Sequence, residues 1–250
     1  VGLGSGAFGT GLTTGTDNVA IGDSAGDALT SGSENTFVGD NAGGATTTAS
    51  YNTAVGRNAL LVNSTGASNV AVGKGALDAN TTGSDNVGLG ALALSANTTA
   101  SNNVAIGRSA LAVNTTGANN VAVGYTALDA NTTANNNTAV GHTALGANTT
   151  GTGNTAVGQQ AGLSITTGDD NTIVGQAAGD ALTTGEYNVA IGQGALSAAT
   201  TASYNTAVGR YALISNTGAN NTGIGYNSLG ANTSGTENAA VGSQSLLSNT

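Results

Sequence analysis

The sequence predicts an all-β fold, a β-solenoid of about fifteen 17-residue coils that runs as a single array over residues 1–250. Three observations predict it. An asparagine recurs at constant spacing, a short β-branched run that ends in glycine follows it each time, and the pattern covers the whole chain. A period this strict indicates one small unit stacked on copies of itself. The recurring asparagines are Asn18, Asn35, Asn52, Asn69, Asn86, Asn103, Asn120, Asn137, Asn154, Asn171, Asn188, Asn205, Asn221 and Asn238.

The spacing between these asparagines is 17 residues except for one step of 16, between Asn205 and Asn221. Positions are counted here from the residue after each asparagine, so that the asparagine itself is position 17. The chain starts inside the motif at Val1 and stops within a repeat, so we expect it to be an internal segment of a longer fibre.

Composition excludes several classes of partner. The net charge is −9, which makes nucleic acid an unfavourable partner. No apolar stretch approaches the roughly 18 to 20 residues that a membrane span needs, so membrane insertion is not expected. The chain has no cysteine, so no disulfide can stabilise the fold.

Positions 1 to 4 predict a short strand. Position 3 is aliphatic and position 4 is glycine in all 15 copies, and position 2 is mostly alanine. Side chains alternate along a strand, which puts positions 1 and 3 on one face and positions 2 and 4 on the other. We expect position 3 to form the core and the small residues of position 2 to pack against another chain.

Position 8 predicts an interior volume that one bulky residue occupies in each coil. Ten copies carry leucine there: Leu60, Leu77, Leu94, Leu111, Leu128, Leu145, Leu196, Leu213, Leu229 and Leu246. Three copies carry glycine instead and have an aliphatic residue at position 11: Leu29, Ile165 and Leu182. Gly43 has no such replacement, so we expect its coil to be less well packed.

The asparagine column has two physical interpretations. Identical amides stacked at the rung spacing of about 4.7 Å can hydrogen-bond along the axis as a ladder. Asparagine also favours turns because it tolerates unusual backbone angles. A turn would equally accept Asp or Gly, and neither occurs at this position, which favours the ladder.

The motif resembles that of a known family. Asn-Val-Ala-Ile-Gly, at 18–22, 103–107 and 188–192, is similar to the repeat of trimeric autotransporter adhesin heads. Asn-Thr-Ala-Val-Gly, at 52–56 and three other places, is similar to repeats of bacteriophage-type tail fibres. The resemblance covers the chain and implies a left-handed parallel β-roll in which three chains form an obligate homotrimer. The segment after the motif is longer here than in the adhesin repeat.

Catalytic, cofactor-binding and metal sites are not expected. The only histidine, His142, lies at position 5 together with all four basic residues, Arg57, Lys74, Arg108 and Arg210. A position that tolerates such variety is expected to face solvent, where it could form a receptor-facing stripe. Carboxylates at positions 15 and 16, such as the adjacent Asp169 and Asp170, are too scattered for a calcium site in every coil.

The Asn-Thr-Thr segments supply N-glycosylation sequons in register. If the protein passes through a glycosylating pathway, one edge of the solenoid would carry a sugar on nearly every coil. Ordinary turn chemistry explains the same residues without any sugar. The candidate sites are Asn63, Asn80, Asn97, Asn114, Asn131, Asn148 and Asn232.

These patterns favour a non-enzymatic structural or adhesive module of an extracellular fibre, on a cell surface or virion. Its expected partners are copies of itself, in a homotrimer or an end-to-end filament, and a cell-surface or glycan receptor. One alternative is a segment of a self-assembling surface filament that carries sugars. Another is an ice-binding solenoid, although adjacent threonines at positions 12 and 13 should leave only one outward threonine per coil.

Overall fold

The computed structural model describes residues 1–9, 11 and 14–247, which fall into two compact units, Val1–Tyr125 and Thr126–Thr250. Fifteen short strands make up all the helical or strand structure of the described residues, so the chain is all-β as predicted. The first unit contains β1 (Gly2–Leu3), β2 (Val19–Ile21), β3 (Thr36–Val38), β4 (Thr53–Val55), β5 (Val70–Val72), β6 (Val87–Leu89), β7 (Val104–Ile106) and β8 (Val121–Val123). The second contains β9 (Thr138–Val140), β10 (Thr155–Val157), β11 (Thr172–Val174), β12 (Val189–Ile191), β13 (Thr206–Val208), β14 (Thr222–Ile224) and β15 (Ala239–Val241).

Within each unit the strands pair in parallel, each with the strand one coil away. Residues at the same repeat position are partners, such as Val70 and Val87. The 16-residue coil keeps this register, because Thr206 still pairs with Thr222. The sequence period is therefore the period of a β-solenoid in both units.

The strand faces are the reverse of what the sequence led us to expect. Position 2 is fully buried inside the coil, as at Ala71 and Ala105, whereas position 3 points outward, with Ile106 39% exposed. The interior is narrow because the leucine of position 8 lies against the strand. A Cβ added to Gly223 would already lie 3.1 Å from Leu213 Cγ. Only alanine or a similarly small residue fits there in most coils, so position 2 does not meet another chain and position 3 is not the core.

The prediction of a shared interior volume is correct. Every position-8 leucine from Leu60 to Leu229 is fully buried, and so are Leu29, Ile165 and Leu182 at position 11. A Cβ on Gly162 would lie 3.0 Å from Ile165 Cδ1, which shows that the two positions compete for one space.

The coil of Gly43 is well packed, contrary to expectation. Its position 2 is Phe37, whose ring is fully buried and occupies the space that a side chain at Gly43 would take. A Cβ on Gly43 would lie 2.6 Å from Phe37 Cδ1. The large side chain that fills this coil therefore belongs to position 2 of the strand, which a comparison of positions 8 and 11 alone does not reveal.

Glycine at position 4 is required by the backbone. Gly73 has φ of +135°, and a Cβ there would lie 2.5 Å from the carbonyl oxygen of Gly90 in the next coil. Any other residue would be strained and would push the coils apart. The same geometry recurs along both units and accounts for glycine in all 15 copies.

Replacing Phe37 with alanine should lower the free energy of unfolding by about 3 to 5 kcal/mol, because it leaves a cavity next to a glycine. Urea-induced unfolding of the full chain measures the loss. Tyr51→Ala is the control, since it removes an aromatic ring that is 59% exposed in the same coil. Equal losses in the two variants would contradict the packing described for Phe37.

Candidate functional site

The position-17 asparagines lie inside the coils. Thirteen of the fourteen, from Asn18 to Asn221, are at most 6% exposed, and Asn238 is half-buried. A buried amide is costly unless its donors and acceptor find partners. The hydrogen bonds of this column therefore decide whether the coils can stack.

Asn86 shows the pattern. Its backbone N–H and its side-chain Nδ2 both donate to Asn69 Oδ1, at 3.0 and 3.2 Å. Nδ2 also donates to the carbonyl oxygen of Ala100 at 2.8 Å, and Asn86 Oδ1 accepts from the backbone N–H of Asn103 at 3.0 Å. One side chain thus joins three successive coils, and the repeated contacts form an amide ladder along the axis.

The sequon asparagines form a second buried ladder at position 11. Asn80 Nδ2 donates to Asn63 Oδ1 at 2.9 Å and to the carbonyl oxygen of Gly83 at 2.9 Å. All seven sequon asparagines are fully buried: Asn63, Asn80, Asn97, Asn114, Asn131, Asn148 and Asn232. Their amides face the interior of the folded coil and not the expected outer edge, so their position gives N-glycosylation no support.

The two ladders meet at position 14. The carbonyl oxygen of Gly83 accepts from both Asn69 Nδ2 and Asn80 Nδ2, each at 2.9 Å. In the 16-residue coil the ladders merge, because Asn216 Nδ2 donates to Asn205 Oδ1 at 3.3 Å and Asn221 Nδ2 donates to Asn216 Oδ1 at 3.0 Å. These hydrogen bonds between the two columns keep the three amides paired in the coil that is one residue shorter than the others.

Positions 12 and 13 differ in what their hydroxyls do. The position-12 hydroxyl of Thr81 donates to the carbonyl oxygen of Thr98 in the next coil at 2.9 Å. Position 13 is exposed in all twelve coils that contain it beyond the first, and it always carries a hydroxyl. These residues, the threonine column, are Ser31, Thr48, Thr65, Thr82, Thr99, Thr116, Thr133, Thr150, Thr167, Thr184, Thr201 and Ser234.

Position 5 faces solvent, where it bears the basic residues and His142. Arg57 Nε lies 3.3 Å from Asp40 Oδ2 in the preceding coil, and both side chains are largely exposed. Arg108 lies over the ring of Tyr125, with 5.9 Å between Cζ and the ring centroid. Such exposed contacts contribute little to stability.

Carboxylates of positions 15 and 16 lie near the exposed side chain of Tyr187. The rings of Tyr187 and Tyr204 stack with centroids 5.2 Å apart. The charge of Asp170, followed by that of Glu186, raises the pKa of the Tyr187 hydroxyl. In the part of the chain that the structure describes, no group of three or more His, Asp or Glu could hold a metal ion, and no helix is long and apolar enough to cross a membrane.

Sequence reasoning missed an exposed apolar surface, the aliphatic stripe. Each unit carries its own length of this stripe, formed by the position-3 side chains: Ile21, Val38, Val55, Val72, Leu89, Ile106 and Val123 in the first unit, and Val140, Val157, Val174, Ile191, Val208 and Ile224 in the second. Leu89 is 41% exposed and Val157 37%, with a half-buried Val or Thr of position 1 beside each. The sequence did contain a signal for this surface. Positions 2 and 3 lie on opposite faces of the strand, so either the alanine column or the aliphatic column had to face out of the coil.

No family model, no curated protein and no solved structure matches the chain. What the protein does is therefore inferred from its two buried ladders, its threonine column and its aliphatic stripe.

Asn86→Ala should lower the free energy of unfolding by about 2 kcal/mol, because it leaves the buried Asn103 N–H without a partner and removes one of the two amide donors to the Ala100 carbonyl. Thermal or urea unfolding of the full chain measures it. Asn102→Gly is the matched control, since Asn102 is exposed and its φ of +61° suits glycine. A loss at Asn86 no larger than at Asn102 would show that the ladder adds nothing to stability.

Proposed function

We propose that this chain is a non-enzymatic module of an extracellular fibre, in which three copies pack their aliphatic stripes together around a common axis. The observation that supports this is the stripe itself, which places a half-exposed Val, Ile or Leu on every coil from β2 to β14. A soluble monomer rarely leaves so extended an apolar row in water.

The energy available from the stripe grows with the number of coils. Burying a Val or Ile side chain completely stabilises by roughly 1.5 to 3 kcal/mol, so covering the exposed two-fifths of one adds about 1 kcal/mol. Each coil adds its own contribution from apolar burial, whereas the translational and rotational entropy of each copy is lost only once on association. The resemblance to adhesin heads and tail fibres indicates three copies, since a three-fold axis brings one stripe from each copy to a single closed interface.

Such an assembly suits a shaft or an adhesive head on a cell surface or virion. The backbone of each coil is bonded to its neighbours, and most of the buried amides are paired through the two ladders, which favours rigidity. Outward columns such as position 5 vary from coil to coil and could present a binding surface to a cell-surface or glycan receptor. The proposed role is to span distance and to present that surface, without catalysis.

A second candidate function is a surface filament coated with threonine-linked sugars. The threonine column favours it, because the hydroxyl is retained at an exposed position while exposed positions 5 and 16 vary freely. A sugar on each coil would shield the fibre and keep it hydrated.

Light scattering across a range of concentrations tests the trimer. We expect a single species at three times the 23.6 kDa of the chain. Val72→Asp combined with Ile106→Asp should dissociate it to single chains, because the charges would be buried at the axis. Thr82→Asp with Thr116→Asp is the control with the same charges on the threonine column. A trimer that survives both pairs of substitutions, or a wild-type monomer, would overturn the proposal.

Peptide mass spectrometry of protein isolated from its source tests the second candidate. We expect sugar on Thr82 and none on Thr81 or Asn80, because only Thr82 is exposed with a hydroxyl that bonds no neighbouring coil. Unmodified peptides throughout the threonine column would reject a sugar coat, and sugar on Asn80 would contradict its buried position.

A further inference from the structure

A shallow groove of about 470 Å³ runs along the first unit, outside the strands. It is formed by positions 6, 9 and 10 of three successive coils. The lining residues are Leu61, Val62, Asp78, Ala79, Leu92, Ser95 and Ala96.

The groove combines apolar walls with one carboxylate. Val62 is 39% exposed and Leu92 42%, so the walls are open to contact. Partial burial raises the pKa of the Asp78 carboxyl, against the opposing effect of its backbone hydrogen bonds. An aliphatic stem that ends in a cation fits both features, since the stem would cover the walls and the cation would compensate the carboxylate.

The acidic residues of position 9 recur every three coils. They are Asp27, Asp78, Asp129 and Asp180, each 51 residues after the last. The arginines of position 5 follow the same interval at Arg57, Arg108 and Arg210, with Gln159 at the step between the last two. Opposite charges therefore repeat along the chain with one period and a fixed offset.

Copying of a three-coil unit does not by itself explain this retention. In the coils that carry these aspartates, position 5 has changed from Asp23 to Lys74, Tyr125 and Gln176. In the coils that carry the arginines, position 6 has changed from Asn58 to Ser109 and Tyr211. Neighbouring outward positions have diverged, whereas position 9 has kept its aspartate in all four of these coils and position 5 its arginine in three of four, which indicates a use for them.

Both charged positions belong to the same turn segment of the coil, so they suit a contact in which two copies present the same side to each other. A two-fold contact is reciprocal, and when a coil faces a different coil of the partner the two copies must run antiparallel. If the coil 53–69 faces the partner's coil 70–86, then the antiparallel arrangement places the coil 19–35 opposite the partner's coil 104–120. Arg57 then meets the partner's Asp78, and Arg108 meets the partner's Asp27, while no acid at position 5 faces an acid at position 9.

We propose that the groove beside Asp78 receives Arg57 from a second copy of this chain, so that fibres associate side by side and antiparallel in a three-coil register. The contact uses turn residues and leaves the aliphatic stripe untouched, so it goes beyond the fibre module proposed above.

Within one copy, Arg57 pairs with Asp40, but this pair is exposed on both sides, at 63% and 44%, and is easily exchanged. The groove offers a better-shielded carboxylate together with an apolar surface for the arginine stem. A charge-assisted pair is stronger in such surroundings.

Sedimentation of the full chain at low and at high salt tests the proposal. At low salt we expect the wild type to associate beyond its basic species, whether that species is a trimer or a single chain, and at high salt to return to it. Arg57→Asp and Asp78→Arg should each weaken this association by about tenfold or more, and the double variant should restore it. Asp85→Arg is the control, an identical charge change at an exposed position of the same coil.

Circular dichroism and the mass of the basic species verify that each variant folds. A wild type that does not associate at low salt would overturn the proposal. So would single variants that associate as the wild type does, or a double variant that stays dissociated. Loss of the trimer at every salt concentration would instead count against the aliphatic stripe, so failure of the two proposals can be told apart.

Discussion

The structure depends on pairing buried amides in a coil too narrow to hold a large apolar core. Each coil has only one or two bulky interior side chains, such as Leu77, and the rest of its interior is alanine, glycine and asparagine. Turns enclosed in this way would leave backbone N–H and C=O groups unpaired. The two asparagine ladders supply the missing partners, and at Gly83 they share one acceptor. The ladder geometry requires an amide in the same place in every coil, which is why the period is so strict.

The backbone accepts strain to make this coil. Leucines of position 8, such as Leu77 with φ of +52°, occupy the left-handed region that bulky residues rarely adopt. That conformation costs roughly 1 to 2 kcal/mol per residue. It directs the side chain into the interior, where complete burial offsets much of the cost. Where position 8 is glycine, the strain is relieved and other side chains fill the vacant interior space. Phe37 fills it beside Gly43, and Ile173 and Leu182 fill it beside Gly179. The interior volume is thus conserved, while the residue that occupies it is not.

The fold class, the strand positions and the shared interior volume could be predicted from the sequence, because each is a matter of period. The direction of the strand face could not be read from alternation, which says that Ala71 and Val72 face opposite ways but not which one faces in. The burial of the sequon asparagines could not be predicted either, since the sequence Asn-Thr-Thr at Asn80 is compatible both with an exposed turn and with a buried amide ladder. Phe37 escaped notice because its effect on Gly43 acts across the coil, between positions 2 and 8. These errors share one cause: a 17-residue period fixes what repeats, and only the path of the turns decides what is enclosed.

The inverted face changes what the surface can do. Alanine inside and valine or isoleucine outside leave the protein with a water-exposed apolar row and a separate set of charged turns, two surfaces suited to two kinds of self-contact. Both rest on the coil being closed by its amides. The most direct test is hydrogen exchange of the asparagine side-chain amides, followed by NMR on the 15N-labelled chain. The amides of Asn69 and Asn86 should exchange far more slowly than those of the exposed Asn102 and Asn119. Equally rapid exchange at all four would contradict the ladder and the coil built around it.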